Sequence, residues 1–278
     1  MIYVPNHFAA SVSVINGTCA NMGTVVLPNG SEPWAAAYNP SNKEIYVTDS
    51  ASYSTVGGTP GRDVYVIHNL SLVRTIRSTA FGGGTWSIAW DPSANLMLCV
   101  SGHGLLVGIS GNSINGSIHI GNGLSEGMAY DSRANEMLMT LRAYDNVTGV
   151  NASHPFLGSH LNIRVGKGPV GIASDPITGY DYVTDFQASS VTVINGSGGY
   201  LASIPVKGGP VGVAVDSAKN EIFVADDFAN KISVIKGLSV VRTLTFAPPN
   251  NYFVGVVYDF NTKLVYVTGL NYKVFIVT

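Results

Sequence analysis

Pro169–Gly209 reads PVGIASDPITGYDYVTDFQASSVTVINGSGGYLASIPVKGG, and Pro210–Phe246 starts again as PVGVAVDSAKNEIFVADDFANKISVIKGLSVVRTLTF. Pro169 matches Pro210, Asp175 matches Asp216, Asp185 matches Asp226, and the two V-I runs coincide. The spacing is about forty residues, in the range of repeat architectures. Each unit holds four short apolar runs of alternating pattern, separated by Gly, Asn, Asp, Ser or Pro, which describes a four-stranded antiparallel sheet. Four strands at this period make one blade of a β-propeller.

Laying the rest of the chain on this template predicts an all-β, seven-bladed propeller of four-stranded antiparallel blades, one domain over residues 1–278. The expected blades span about 1–30, 31–84, 85–123, 124–168, 169–209, 210–249 and 250–278. The first opens on IYVPN, a second strand, so its inner strand is lacking. The last stops at KVFIVT, a third strand, so its outer one is lacking. Blade two carries an insertion, SASYSTVGGTPGR, that reads as an exposed loop. In blade four the stretch from Arg142 to about His154 reads as an irregular loop in place of a clear third strand.

Composition narrows the partners. Apolar residues are 46% and charged residues only 12%, about half the usual share, with a net charge of -2. That balance gives no reason to expect nucleic acid or an anionic membrane as partner. No apolar run is long enough to span a bilayer, and Met1–Val4 reads as a strand rather than a signal segment. A mature domain or a fragment of a longer protein is therefore expected. Low charge also predicts tolerance of acid, since there are few ion pairs to lose and little self-repulsion to gain. Cys99, in LMLCVS, reads as a buried apolar residue, and a bridge to Cys19 two blades away is not expected.

The runs IYVTD, DYVTD, VYVTG and IFVAD, each followed by a V-x-V-I strand, resemble the YVTN family of β-propellers, itself similar to archaeal surface-layer repeats and to lactonase-like seven-bladed propellers. The resemblance is tight in blades two, five, six and seven and loose in three and four. It implies a surface location and a structural motif, and carries over no catalytic residue.

Two sets of positions converge on a propeller's central channel. At the start of the inner strands stand Trp34, Trp86, Glu126, Val170, Val211 and Val254. An aromatic pair beside a carboxylate suits a sugar or a cation; two Trp also simply fill a wide mouth. The second strands end in Asn6, Asp49, Ser101, Leu141, Asp185, Asp226 and Gly269. Asp49, Asp185 and Asp226 are candidate ligands for an axial divalent cation such as Ca²⁺, or else caps for local amides; the expectation is no cofactor. Blades three and four depart most from the template, and such departures are where function is sought. Glu126, His103 and Arg142 are the candidate catalytic groups there, with Tyr144 and Asp145 beside them as ligand-binding candidates. His7, His154 and His160 show no metal-ligand spacing, and there is no G-x-S-x-G elbow or phosphate loop. Sequons at Asn16, Asn29, Asn69, Asn115, Asn146, Asn151 and Asn195 are glycosylation candidates. Asn16-Gly17, Asn115-Gly116 and Asn195-Gly196 share one repeat position, where a tight type I′ hairpin is expected. Two functions remain in view. One is an extracellular or cell-surface module binding protein, glycan or copies of itself. The other is a lactonase-, hydrolase- or lyase-type enzyme at the channel mouth.

Overall fold

The computed structural model describes residues 1–51, 61–121, 123–158, 161–247, 252–270 and 273–277. Most of the blade-two insertion, and His160, lie outside them. Seven antiparallel sheets follow one another along the chain. The first is β1 (Ile2–Asn6), β2 (Ser11–Ile15) and β3 (Asn21–Val26); the second is β4 (Pro33–Asn39), β5 (Glu44–Asp49), β6 (Asp63–His68) and β7 (Ser71–Arg77). Next come β8 (Thr85–Asp91), β9 (Leu96–Ser101), β10 (Leu105–Ser110) and β11 (Ser113–His119), then β12 (Met128–Asp131), β13 (Glu136–Leu141), β14 (Asn146–Asn151) and β15 (Leu161–Arg164). The fifth is β16 (Pro169–Asp175), β17 (Tyr180–Asp185), β18 (Ser190–Asn195) and β19 (Tyr200–Pro205); the sixth is β20 (Pro210–Asp216), β21 (Glu221–Asp226), β22 (Lys231–Lys236) and β23 (Ser239–Thr245). The last is β24 (Phe253–Asp259), β25 (Leu264–Gly269) and β26 (Lys273–Val277). These are the blades of an all-β, seven-bladed propeller. Among the described residues five have four strands, the first has three with no inner strand and the last three with no outer one, as the sequence register counts.

The chain forms two compact units, Met1–Ser125 with Val150–Ser159, and Glu126–Gly149 with His160–Thr278. In the first, apolar layers fill the space between successive sheets: Val12, Val47 and Tyr65 between the first two, Tyr46, Val66 and Met97 between the next. In the second, Leu138 meets Val183, Tyr182 meets Val224, and Phe223 meets Val267 in the same manner. Second and third strands other than β1 and β26 are therefore buried over half or more of their length, which explains their near-continuous apolar runs. Inner strands approach so closely that a side chain at Gly127 would strike the Val170 carbonyl, and one at Gly171 the Val211 carbonyl. Only glycine leaves room there.

Two expectations need correction. The stretch after Arg142 is not an irregular loop: a short 3-10 turn, Arg142–Tyr144, leads into β14, the missing third strand. Its sequence, NVTGVN, hides it, because Gly and Asn are poor strand formers. A Cβ at Gly149 would lie 3.0 Å from both Glu136 Oε2 and Leu138 Cδ2, so those side chains pack closely over it. The hairpins also differ. In the third sheet the turn is Gly111-Asn112, with Gly111 at φ +58°, and Asn115-Gly116 sits inside β11. Gly116 and Gly108 make a slot for Phe156, a residue of the connection after β14; an added Cβ would come within 2.7 or 2.5 Å of its ring. Asn16 and Asn195 do lie at turns, but these are longer than the two-residue type I′. Asn16 Oδ1 accepts from the Thr18 and Ala20 amides, and Asn195 Oδ1 from those of Ser197 and Gly199.

Candidate functional site

The recurrent Y/F-V-T/A-D run builds the end of each blade where inner strands start and second strands finish. Its Thr is a staple. Thr184 Oγ1 accepts from the Gly171 amide at 2.7 Å and donates to the carbonyl of Val211 in the next blade, also at 2.7 Å. Thr140 does the same for Gly127 and Val170, at 3.0 and 2.9 Å. The Asp that follows is turned into its own blade. Asp185 accepts from Ser190 and Thr192, Asp226 from Ser233, and Asp49 from Tyr65 and the amides of Glu32 and Ala51. Burial, opposed by these donors, pushes Asp185 up to about 6 and Asp226 up to about 7. Among the described residues no three His, Cys, Asp or Glu are placed to hold a metal ion.

In the first unit an aromatic ladder runs across three blades. The 3-10 turn His7–Ala9, closing β1, carries His7 and Phe8, whose rings lie 4.5 Å apart. His7 meets Trp34 edge-on at 5.2 Å, and Trp34 meets Trp86 at 5.2 Å and 66°. Edge-to-face rings at this separation attract one another beyond their buried area. Trp86 Nε1 donates to the Gly83 carbonyl at 3.3 Å. The His103 ring rests on Gly82-Gly83, where a Cβ on Gly83 (φ +79°) would lie 2.9 Å from its Cδ2. Phe8 remains 77% and Trp34 39% exposed. Trp34 and Trp86 thus meet directly, and His103 lies on the Gly82-Gly83 segment to which Trp86 donates. His7 and Phe8 join them, although the sequence reading had weighed His7 only as a metal ligand. The signal was positional: they follow the second strand of their blade, as Phe186 and Phe228 do in theirs.

In the second unit, Glu126 and Arg142 form an ion pair at 2.5 Å, with Glu126 almost buried. The guanidinium lies over Phe186, 5.2 Å from the ring centre, and Phe186 contacts Phe228 at 5.4 Å. The pair and the cation–π contact together fix Arg142. Tyr144 is exposed. Asp145, at φ +53°, ends the 3-10 turn and accepts the Gly168 amide at 2.9 Å, a turn-stabilising role. Each of the two clusters is built within its own unit.

The sequons differ in accessibility. Asn29, Asn69, Asn115 and Asn151 are exposed, Asn16 and Asn195 half-buried at turns, and Asn146 half-buried in β14. Cys19 and Cys99 are both free, and burial raises the Cys99 thiol far above its ordinary range.

No protein-family profile and no curated protein matches the chain. Solved structures do. Virginiamycin B lyase from Staphylococcus aureus has a TM-score of 0.83 at 14% identity, covering 98% of this chain and 89% of its own. A streptogramin B lyase has a TM-score of 0.81 at 12% identity, with 98% and 87% covered. Hydrazine synthase of Kuenenia stuttgartiensis has a TM-score of 0.82 at 14% identity, with 99% and 91% covered. At such identities the likeness is one of fold, and unrelated activities share it.

Proposed function

We propose that this propeller is an extracellular or cell-surface binding module whose ligand is a glycan stacked on the aromatic ladder. The observation that carries this reading is the edge-to-face His7–Trp34–Trp86 cluster, with Phe8 and Trp34 exposed beside it. Flat, partly exposed rings held rigid by one another suit the apolar face of a sugar and lose little conformational freedom on binding. The exposed sequons fit the same compartment. Tryptophan fluorescence follows the site directly, because Trp34 and Trp86 are two of only three tryptophans. Titration with chitohexaose, laminarihexaose and cellohexaose is expected to shift the emission saturably for at least one sugar, and Trp34→Ala to abolish the shift. A flat response to all three sinks the glycan reading.

The enzyme reading has its own support in the lyase neighbours and in the Glu126–Arg142 pair. An Arg fixed by a carboxylate and a ring can polarise a carbonyl or hold an anion. Another S. aureus virginiamycin B lyase structure contains quinupristin. Incubation with quinupristin and with simple lactones, followed by mass spectrometry, tests turnover. Conversion that disappears in Arg142→Met would displace the binding reading.

A further inference from the structure

Asn-Gly occurs five times, at Asn16, Asn29, Asn115, Asn122 and Asn195. This dipeptide is open to an intrachain reaction. The glycine nitrogen, giving up its proton to base, attacks Asn Cγ; the Cγ–Nδ2 bond breaks, ammonia leaves, and a five-membered imide closes. Water then opens the imide at either carbonyl. One product is aspartate. The other is isoaspartate, in which the main chain runs through Cγ and is one atom longer. The reaction needs a free Asn side chain, an unbonded glycine N–H and a backbone that can rotate, and a following glycine presents no Cβ to obstruct the attack.

The fold grants these conditions unequally. Asn195 Oδ1 accepts from the Ser197 amide and hydroxyl and from the Gly199 amide, and the Gly196 amide donates to the Gly179 carbonyl at 3.1 Å. Asn16 Oδ1 is held in the same way by Thr18 and Ala20. Asn115-Gly116 is fixed inside β11, with Gly116 against the Phe156 ring. Asn122 lies outside the described residues. Asn29 differs from the other three. The Ser31 amide donates to the Pro28 carbonyl at 3.2 Å, closing a turn whose third residue, Gly30, has φ +85°. That is the type II arrangement. Asn29 and Gly30 are exposed, and neither the Asn29 side chain nor the Gly30 amide has a hydrogen-bond partner among the described residues.

The turn leads into the strand that carries Trp34. Ser31, 6% exposed, has its Oγ 2.6 Å from both the Pro28 carbonyl and the Tyr65 hydroxyl. Tyr65 donates to Asp49 at 3.0 Å, and Asp49 accepts the Glu32 amide at 2.9 Å. An added main-chain atom at position 29 moves Ser31 against this chain of bonds, and with it the entry to β4.

We propose that Asn29 is the site at which the folded protein deamidates, and that its isoaspartyl product, acting through Ser31, Tyr65 and Asp49, shifts Trp34 within the aromatic ladder. Because Asn29 also begins a sequon, the test uses protein made in a host that adds no glycans, which would occupy Nδ2.

The protein is aged at pH 8 below its Tm and mapped by mass spectrometry, with a sample unfolded in urea as reference. Asn29 is expected to convert within about threefold of its rate in urea, and Asn16, Asn115 and Asn195 at least about tenfold more slowly than theirs. Conversion of any of those three as fast as Asn29, or an Asn29 slowed as they are, would overturn the site. Tryptophan emission is expected to shift in step with isoaspartate in the wild type and to stay constant in Asn29→Gln aged alike. Asn29→Asp, which adds the charge without the extra atom, is expected to emit as fresh wild type does. Emission that does not move while isoaspartate accumulates, or that Asn29→Asp already shifts, would overturn the coupling to Trp34.

Discussion

Replacing Asp181 by Asn should remove much of the pH dependence of this protein's unfolding. Asp181 lies in β17, 1% exposed, with no geometrically sound hydrogen bond to either oxygen. Burial pushes its pKa up to about 7; the neighbouring carboxylates Asp131 and Glu136 add to that, and the Ser174 hydroxyl works against it. The folded value is above the unfolded one, near 3.9. The native state therefore holds a proton that the unfolded chain releases. The stabilisation is full below about pH 4 and is lost as pH rises through about 7. At about 1.4 kcal/mol for each pH unit separating the two values, ionised Asp181 costs the fold on the order of 4 kcal/mol at pH 8. An unfolding entropy near 2.1 cal/mol/K per residue converts that, for 278 residues, to about 7 °C in Tm. Asp185 and Asp226 act in the same direction. Wild-type protein should thus melt higher at pH 5 than at pH 8 and remain folded at pH 4. In Asp181→Asn the gap between pH 5 and pH 8, which spans about two of those three units and so about 2.7 kcal/mol, should shrink by about 5 °C. Calorimetric scans at half-unit intervals measure both slopes. Identical slopes would show that Asp181 is ionised at no cost, and a wild-type Tm that collapses between pH 5 and pH 3 would refute the acid tolerance altogether.

Thr184→Val should destabilise by about 2–4 kcal/mol, since it strips partners from the Gly171 amide and the Val211 carbonyl; faster exchange of the Gly171 amide in NMR would identify the broken staple. Gly108→Ala should cost about 1–3 kcal/mol through its clash with Phe156, and urea melts of the double variant with Phe156→Ala should show strong non-additivity. Native protein should expose one thiol to Ellman's reagent, the half-buried Cys19, and a second only in denaturant, because Cys99 is fully buried. Two thiols reacting at equal rates in the native state would contradict the packing of β9.

The fold was legible because one short run encodes three different contacts. In DYVTD, Tyr182 and Val183 face opposite neighbouring sheets, Thr184 joins two inner strands, and Asp185 caps its own blade. Copies of that run could be counted without any knowledge of what they touch. The candidate sites were less legible, because they depend on side chains that meet only after blades are stacked. Nothing in the spacing of His7, Trp34 and Trp86 says that their rings meet edge to face. Glu126 and Arg142 were chosen together, but as catalytic neighbours rather than as an ion pair under which Phe186 lies.

The second strands carry one further signal. The second residue of the second strand is Ile45, Met97, Met137, Ile222 and Val265 in five other blades, all buried. In the fifth blade, which fits the template closely, it is Asp181. In blades three and four many residues depart from the template at once, and each change means little. A single carboxyl in a slot filled elsewhere by an apolar side chain is a sharper departure, because its desolvation is opposed only weakly by Ser174. It also stands where burial and two further carboxylates act on it together, so the pH slope of Asp181→Asn tests that slot more directly than any change on the loops.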